Sequence, residues 1–536
     1  MKKFILILFI VPSVFISGQN LDSLYAEFLR VKGISQEGGR QIVEVERQPS
    51  KCSFGIVNQT KLNYEKFSPA QKAVLKSLLQ RPAADTSFVT PGAHFRIHYK
   101  KTGVDSPGYN LTLLALAADS AYNYEVNLLG FPPPPPDQNE GGDNLYDIYI
   151  LNLSSDYGYT EFENTLTENR YTSYMVIDND FAGSNFHTHG IDAARATLAH
   201  ELHHGIQIGN YIYRQEDNYY YELTSTAMEE FVFDEINDYY FYMSSYFRNP
   251  QRAFSSNDGY NLAVWNIFLR DRFGTGIIKR IWERMPSDRA LKSVEDAIRE
   301  AGSFFKVEFN KFALWNYFTG TRALSGKYYE EAANYPSVNP TAITGSMNVN
   351  SEPVTNYYFQ YDDNSSSPGN VLISVISNCD ITGGFTTPMT LTPYTYSVST
   401  GGGGKNIAGN FYSKLESEKD YIFSQSNIMN GVPVNEGHII AEETDYPFPQ
   451  PFRYSASAEI FFPVSHDING IADLNIYSID MRLVFSGSKR IVTTDKIVVG
   501  WDARDDRGSK LGTGIYIYVT KSGDNIKKGK FVIYND

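Results

Sequence analysis

Cysteine is scarce in this chain, which has only Cys52 and Cys379 among 536 residues. Two thiols cannot build the dense disulfide framework of small exported domains, so the fold must depend on ordinary hydrophobic cores. Long apolar runs are scarce too: beyond the N-terminus, none approaches the ~20 residues that a membrane-spanning helix needs. Basic residues are outnumbered, 47 against 61 acidic ones, and the formal net charge is −14. This balance argues against nucleic acid or an anionic membrane as a partner.

The N-terminal residues have the composition of a secretory signal peptide. Lys2 and Lys3 form a basic start, residues 4–16 are apolar, and the small residues Ser17 and Gly18 follow. The apolar part is too short for a membrane span and leads into polar sequence. We therefore expect residues 1–18 to be removed and the protein to be secreted or held at the cell surface.

Residues 200–204 read HELHH, which is an HExxH motif. The sequence from Ala193 to Gly209 has apolar residues at helical spacing, which predicts a mostly buried helix. Because positions i and i+4 lie about 40° apart around a helix, the imidazoles of His200 and His204 point toward one place. Buried histidines are costly unless a partner satisfies them, and a metal ion does so. Glu201 lies beside them, close enough to act on a metal-bound water but poorly placed to be a ligand.

A third zinc ligand is needed. The metzincin pattern would have glycine at position 207 and histidine at 210, where this chain has Gln207 and Asn210. Glu222 instead opens a second helical stretch, ELTSTAMEEFVFDE, after a loop. An HExxH motif, a loop of this length and a glutamate at the start of a helix form the gluzincin pattern.

The segment therefore resembles the gluzincin metallopeptidases, which include thermolysin and the zinc aminopeptidases. It is most similar to a group of bacterial proteins described as secreted metalloproteases, in which HExxHxIQ is followed by an ExTAxxxEE-type helix. Here those motifs are residues 200–207 and then Glu222, Thr224, Glu229 and Glu230, with Ser225 where the pattern has alanine. The resemblance covers about residues 95–285. It implies a zincin-type domain with one Zn²⁺ per chain held by His200, His204 and Glu222.

The resemblance is incomplete around the zinc ligands. Thermolysin-like enzymes have an aspartate four residues after the ligand glutamate, where it supports a zinc histidine; this chain has Thr226 there. Thr226 and Glu229 are therefore the candidates for contacting the ligands from outside. Glu229 and Glu230 also compete with Glu222 as ligands, and Glu222 is alternatively a solvated carboxylate favoured by the helix dipole. We expect His203 to be a structural histidine bonded to a carbonyl group.

Cys52 lies in QPSKCSFG, within a stretch typical of a pro-region. A cysteine in a pro-segment can place its thiolate on the catalytic zinc and hold an enzyme latent, as the PRCG-type stretch of matrix-type metalloproteases does. The alternatives are a structural thiol and a disulfide with Cys379, whose geometry the sequence does not test.

The chain is long enough for three or four domains. Residues 19–89 contain two helical patterns, the second starting at a Ser68 cap, and form the expected propeptide. Residues 90–330 carry strand, helix, strand, strand and then the HExxH helix, the order expected of a zincin domain with a mixed sheet. The strand just ahead of that helix, residues 170–180, would be the sheet edge that receives substrate.

Composition changes after about Pro336 toward short alternating runs rich in polar residues, which predicts a β-sandwich-like domain over residues 336–455. The last module, residues 459–536, contains the signature WDxRDxxG…GxYxY between Trp501 and Tyr518. This signature resembles the immunoglobulin-like domain of flagellar hook-capping proteins and the C-terminal sorting domains of type IX secretion cargo. The resemblance implies the type IX secretion machinery as a partner; an accessory β-sandwich without a sorting role is the alternative. The expected fold class is multidomain α+β.

The predicted function is zinc-dependent peptide hydrolysis with Glu201 as general base. Zinc aminopeptidases have an oxyanion-stabilising tyrosine just ahead of a helix like YNLAVWNIFLRDRFG, and Tyr260 has the similar place here; a packing tyrosine is the alternative. The GxMEN motif, which binds the substrate's amino terminus in aminopeptidases, is absent, so we expect an endopeptidase.

The rival functions are a non-catalytic surface or adhesion protein on a zincin scaffold, which the intact Glu201 disfavours, and a zinc hydrolase of a non-peptide substrate. Structural Ca²⁺ remains open, with no residues assigned to it.

Overall fold

The computed structural model describes residues 16–34, 51–153, 156–343, 346–363, 370–382, 394–400, 413–416, 422–440, 442–443, 445–465, 471–493, 496–523 and 525–536. Most of the predicted signal peptide therefore lies outside the described residues. The chain divides into two compact units. The first runs to Asn249 and takes in Ser255–Gly302 and Ala323–Pro336, and the second takes in Pro250–Phe254, Ser303–Arg322 and Ser337–Asp536.

The first unit contains a mixed five-stranded sheet with the order β1-β2-β3-β5-β4. Its strands are β1 (Thr86–Val89), β2 (Phe95–Tyr99), β3 (Tyr146–Leu151), β4 (Gly158–Thr167) and β5 (Arg170–Asp178). Strands β2, β3 and β5 run parallel, whereas β1 and β4 run antiparallel to their neighbours. The expectation that residues 170–180 form a sheet edge is wrong, because β5 lies between β3 and β4; the edge strands are β1 and β4.

Strand β4 was not predicted because its sequence does not alternate cleanly between apolar and polar residues. Glu161 in particular is fully buried. Two lysines make that burial tolerable, since Lys32 Nζ lies 3.1 Å and Lys61 Nζ 2.9 Å from its carboxylate oxygens. Residues far away in the sequence neutralise this carboxylate, so its burial cannot be predicted from the hydrophobicity of the strand.

Helices pack around this sheet. They are α1 (Ile16–Val31), α2 (Phe54–Leu62), α3 (Pro69–Leu78), α4 (Leu111–Tyr122), α5 (Gly190–Ile206), α6 (Asn218–Val232), α7 (Tyr240–Arg248), α8 (Ala263–Phe273), α9 (Gly276–Arg284) and α10 (Ala290–Glu300). The Ser68 cap is confirmed, as the Ser68 hydroxyl accepts a hydrogen bond from the backbone N–H of Gln71 in a reciprocal capping box. Single π-helical stretches follow α4 and α5, at Asn123–Leu128 and Gln207–Tyr211.

The N-terminal helices share a hydrophobic core with the sheet. Phe28 and Val31 of α1, Val57 of α2 and Leu75 of α3 are buried in one cluster with residues of β3, β4 and β5, namely Tyr149, Tyr159, Tyr174 and Val176. The segment predicted to be a propeptide is thus packed as part of the unit's core. Burial of this apolar surface holds it on the sheet.

The second unit contains one α-helix among the described residues, α11 (Phe305–Tyr317), and is otherwise mainly β-structure. Its strands are β6 (Thr341–Ile343), β7 (Ser346–Ser351), β8 (Thr355–Asp363), β9 (Asn370–Asn378), β10 (Tyr394–Thr400), β11 (Ser413–Glu416), β12 (Phe423–Met429), β13 (Val432–Ile440), β14 (Glu442–Glu443), β15 (Phe452–Arg453), β16 (Ile460–Pro463), β17 (Ile471–Ser478), β18 (Leu483–Thr493), β19 (Lys496–Trp501), β20 (Gly514–Ser522) and β21 (Asn525–Tyr534).

These strands form three sheets. A three-stranded sheet has the order β11-β10-β7, and a five-stranded sheet has the order β13-β12-β9-β8-β6. Val349 of the first lies in one hydrophobic cluster with Phe359 and Ile376 of the second. The C-terminal residues form an eight-stranded sheet that curls around a single cluster containing the fully buried Trp501. The protein is therefore α+β, as expected, with a mixed sheet and helices followed by β-structure.

None of the helices in the described part of the chain combines the length and the apolar character that a membrane-spanning helix needs.

Candidate metal centre

Four buried side chains converge in the first unit: Cys52, His200, His204 and Glu222. One potential ligand atom from each lies within 4.8 Å of the others. The Nε2 atoms of His200 and His204 are 3.1 Å apart. The Glu222 Oε2 atom is 3.2 Å from the first and 3.3 Å from the second. Helix α5 supplies both histidines, and the first part of α6 supplies the glutamate.

These separations suit a tetrahedral zinc ion. Ligand atoms about 2.0–2.1 Å from a common centre are roughly 3.3 Å from one another in a tetrahedron. Imidazole, carboxylate and thiolate are also the donors that zinc takes in proteins. The residues present therefore fit the metal that the HExxH motif implies.

Each histidine is held by a partner on its other ring nitrogen. Nδ1 of His200 lies 2.8 Å from Glu229 Oε1, and Nδ1 of His204 lies 2.8 Å from Gln207 Oε1. With Nδ1 donating to these oxygens, the Nε2 lone pairs point into the cluster, as metal ligation requires. Gln207 was missed in this role, although its position one helical turn after His204 was a usable signal.

The site favours positive charge. Burial lowers the pKa of His200, but hydrogen bonds to Glu222 and Glu229 outweigh this effect and raise that pKa to about 9. Burial likewise works against ionisation of Glu222, yet His204 and His200 bring the pKa of its carboxyl below the usual range. A cation bound between these groups would take over the role of the proton on His200.

Three other candidates are placed away from the cluster. Thr226 is buried, and its hydroxyl has no hydrogen-bond partner among the described residues, so it does not support a ligand. Glu230 lies near Arg270 instead, and burial raises the pKa of its carboxyl to about 9. The prediction that His203 bonds a carbonyl group is wrong: its Nδ1 lies 2.8 Å from Glu125 Oε2. Glu125 belongs to the π-helical stretch that continues α4.

Glu201 lies next to the cluster on the side of the edge strand. Its Oε2 accepts a hydrogen bond of 2.8 Å from the Thr160 hydroxyl of β4. Burial raises the pKa of the Glu201 carboxyl, although His200 and His204 oppose the shift. The approach of β4 requires glycine at position 158, because a Cβ there would lie 3.2 Å from Glu201 Oε1 and 2.8 Å from a backbone oxygen of β5.

Tyr260 reaches the cluster from a turn ahead of α8. Its hydroxyl donates a 2.8 Å hydrogen bond to the Cys52 carbonyl and accepts one from the Cys52 N–H at 3.3 Å. Its ring centroid is 6.2 Å from that of His200. Gly259 has φ +106°, and a Cβ there would be 2.6 Å from Glu222 Cβ, so only glycine lets this turn approach α6.

The segment around Cys52 pairs with the outer hydrogen-bonding edge of β4. The Tyr157 N–H donates to the Lys51 carbonyl at 3.0 Å, and the Ser53 N–H donates to the Gly158 carbonyl at 3.1 Å. These bonds make a short parallel pairing of Cys52 with Gly158. Further along, the Asn58 side chain of α2 bonds the Thr160 carbonyl at 2.8 Å and the Phe162 N–H at 3.0 Å. The segment thus occupies the hydrogen-bonding positions that an incoming peptide strand would use.

The same segment contacts the metal cluster directly. Phe54 stacks on the His204 ring, with centroids 4.0 Å apart and an interplanar angle of 2°. Burial raises the pKa of the Cys52 thiol well above its usual range, and the charges of Glu201 and Glu222 add to this shift. A metal cation at the cluster would act in the opposite direction and favour the thiolate. Cys52 and Cys379 are both free thiols, so the disulfide alternative is wrong.

No protein-family model matches the chain, and no curated protein matches it significantly. Among solved structures, PorZ, a surface component of the type IX secretion system of Porphyromonas gingivalis, is 12% identical with a TM-score of 0.14, covering 31% of this chain and 29% of PorZ. Latent PorU from the same organism is 14% identical with a TM-score of 0.13, covering 36% and 20%. The development factor IMP-L2 is 9% identical with a TM-score of 0.10, covering 37% and 88%. This chain thus spans less than a third of PorZ and PorU, and scores this low assign neither fold nor function.

Proposed function

We propose that this protein is a zinc-dependent metallopeptidase of the gluzincin type, with the N-terminal segment holding it in a latent form. The observation that carries the proposal is the convergence of His200, His204 and Glu222 at separations that suit zinc, with Glu201 beside them. A protein that only binds a partner has no need for a buried carboxylate at that position. The mixed sheet with α5 packed on it, and α6 packed on α5, supports a zincin-type domain.

A zinc ion held by the two histidines and Glu222 would supply the Lewis acidity that activates water near neutral pH. Glu201 would accept the proton of the attacking water and pass it to the leaving amine. The raised pKa of its buried carboxyl brings it closer to the range in which a general base works well. Tyr260 would donate a hydrogen bond to the oxygen of the scissile carbonyl, where negative charge develops.

Latency would follow from three contacts of one segment. The Cys52 thiol lies within 4.8 Å of the ligand atoms of His200, His204 and Glu222, the Cys52 backbone engages the hydroxyl of Tyr260, and Cys52 pairs with β4. Removal of the segment would free a coordination position, the oxyanion donor and the strand edge together. An open strand edge accepts the middle of a polypeptide, which supports an endopeptidase.

The second unit would be accessory. The two sheets that share a cluster support the β-sandwich-like module, and the curled C-terminal sheet around Trp501 supports the Ig-like module. Secretion through the signal peptide and type IX sorting through the C-terminal module remain proposals that rest on sequence resemblance.

The first test is zinc content together with hydrolysis. We expect protein purified without chelators to carry close to one zinc per chain by atomic emission, because three ligands converge. After limited proteolysis releases the N-terminal segment, the remaining protein should digest casein. A chelator should abolish this activity, and added zinc should restore it. His204→Ala should lose the metal. A wild type without zinc, or His204→Ala protein that keeps as much as wild type, would contradict the site.

A second prediction separates Glu222 from its neighbours on α6. Glu222→Ala should weaken zinc binding far more than Glu230→Ala, because Glu222 Oε2 lies within 3.3 Å of both histidines whereas Glu230 lies near Arg270. Glu229→Ala should have an intermediate effect, since loss of a group that orients a ligand typically costs about 10- to 100-fold in metal affinity. Competition with a fluorescent chelator measures these affinities. The ligand assignment must move to Glu229 if its variant loses zinc while Glu222→Ala retains it.

A further inference from the structure

Lys51, the residue before Cys52, has its ammonium group in a closed acidic pocket. The side chain is 2% exposed, and Nζ lies 2.8 Å from Glu229 Oε2 and in contact with Asp238 Oδ2. The rings of Tyr157 and Tyr242 face the same nitrogen, with centroids at 4.9 Å and 5.0 Å. Two carboxylates and two aromatic faces make a site built for a desolvated cation.

The walls of this pocket belong to the part of the unit that would remain after the segment leaves. Tyr157 lies just ahead of β4, and Glu229 lies on α6. Asp238 lies in the turn before α7, and Tyr242 lies in α7. The pocket is also braced from within, since the Tyr157 hydroxyl donates a 3.0 Å hydrogen bond to Asp238 Oδ1 and accepts one from the His187 N–H at 2.7 Å. Removal of Lys51 would leave two buried carboxylates without their counter-charge, which is strongly unfavourable.

The pocket lies beside the candidate metal site and the edge of β4. The carbonyl of Lys51 accepts the hydrogen bond of the Tyr157 N–H, and the thiol of the next residue is at the cluster. Glu229 connects the pocket with the candidate metal site, because its Oε2 atom contacts Lys51 and its Oε1 atom contacts Nδ1 of His200. A peptide bound along β4 would therefore have a side chain next to the metal directed at this pocket.

We propose that the pocket formed by Tyr157, Glu229, Asp238 and Tyr242 selects substrates with a basic side chain, lysine or arginine, adjacent to the residue at the metal. Lys51 fills the pocket as a substitute for that side chain. The inference rests on the proposed function, in that the metal cluster is taken as the place of hydrolysis, and it adds the class of substrate.

Two peptides test the pocket without requiring catalysis. One copies residues 50–54, SKCSF, and the other has norleucine in place of the lysine; both carry the thiol, so the contact with zinc is common to both. Full-length, zinc-loaded protein is activated by limited proteolysis, and mass spectrometry checks that its new N-terminus lies beyond Leu62. By titration calorimetry, we expect the lysine peptide to bind roughly 10- to 100-fold more tightly, the range for a hydrogen-bonded charge. Equal binding of the two peptides would overturn the proposal.

Variants then locate the preference. Asp238→Asn should remove most of the difference between the two peptides, whereas the matched Asp234→Asn, at an exposed position in the same connection between α6 and α7, should leave it unchanged. Equal effects of the two variants would count against this pocket. If Asp238→Asn fails to fold, the binding of the two peptides to the wild-type protein still tests the proposal.

Hydrolysis separates this inference from the proposed function. Of two fluorogenic peptides that differ only in lysine or glutamine, activated wild type should cleave the lysine peptide preferentially. Cleavage of both at equal rates would overturn the pocket and leave the peptidase proposal standing. Tight, lysine-dependent binding without hydrolysis of any peptide would instead support the pocket and contradict the peptidase proposal.

Discussion

Glu201→Gln should abolish peptidase activity while leaving zinc content and fold unchanged. We expect the activated variant to lose roughly 10²- to 10⁴-fold in kcat/KM, the usual contribution of a general base. Glutamine has nearly the same shape and can still accept the hydrogen bond that the Thr160 hydroxyl gives to Oε2, so the local structure should persist. It cannot take a proton from water. Steady-state hydrolysis of a fluorogenic peptide, with metal analysis of the same samples, measures both properties.

Glu230→Gln is the matched control for this variant. Glu230 is also a buried glutamate in the first unit, but burial raises the pKa of its carboxyl to about 9, so it is mainly uncharged at neutral pH. Replacing a neutral carboxyl by an amide changes little in charge or size, and activity should stay close to that of wild type. Comparable turnover by wild type and Glu201→Gln would refute the mechanism. An equal loss in both variants would show that the effect is structural.

Cys52→Ala should release the latency of the full-length chain. We expect the zinc-loaded, uncleaved variant to hydrolyse peptides roughly 10- to 100-fold faster than uncleaved wild type, if the contact of the thiolate with zinc contributes about 1.4–2.8 kcal/mol to docking of the segment. The remaining contacts, above all the ion pairs of Lys51 and the bonds along β4, should keep the rate below that of the proteolytically activated enzyme. Activity before and after limited proteolysis measures both differences.

Cys379→Ala provides the control, since Cys379 is likewise a buried free thiol but belongs to the second unit. It should leave the uncleaved protein as latent as wild type. Latency that survives Cys52→Ala, or that Cys379→Ala relieves to the same degree, would remove Cys52 from the explanation. A structural role of the thiol alone would lower the melting temperature without raising the rate.

The residues of the candidate metal site were predictable because their signal is local. The spacing of His200 and His204 places both on one face of a helix, whatever surrounds it. Glu222 was predictable as a glutamate near the start of the next helix, and the structure brings it to the histidines. The helix periodicity of α5 and the alternation of β2 were visible for the same reason.

The residues that orient the candidate ligands were harder to predict from the sequence. Glu229 and Thr226 were both candidates for supporting a ligand, and only the packing of α6 against α5 shows that Glu229 reaches Nδ1 of His200. The partner of His203 was wrongly predicted because Glu125 comes from a distant π-helical stretch. Such contacts depend on how helices cross, which no short window of sequence contains.

The sequence by itself therefore determined which side chains meet at the candidate centre: two imidazoles and a carboxylate that could hold a metal ion, with Glu201 beside them, on helices whose periodicity is local. The tertiary structure decided what surrounds that centre. It placed β4 outside β5 in the sheet, and there Lys32 and Lys61 neutralise a buried glutamate that the hydrophobic pattern would expose. It also brought Cys52 to the ligands and Lys51 to Glu229 and Asp238, over nearly two hundred residues of chain in the second case. Contacts of this range depend on the closure of the whole fold, since burial and charge pairing between distant segments are properties of the packed unit.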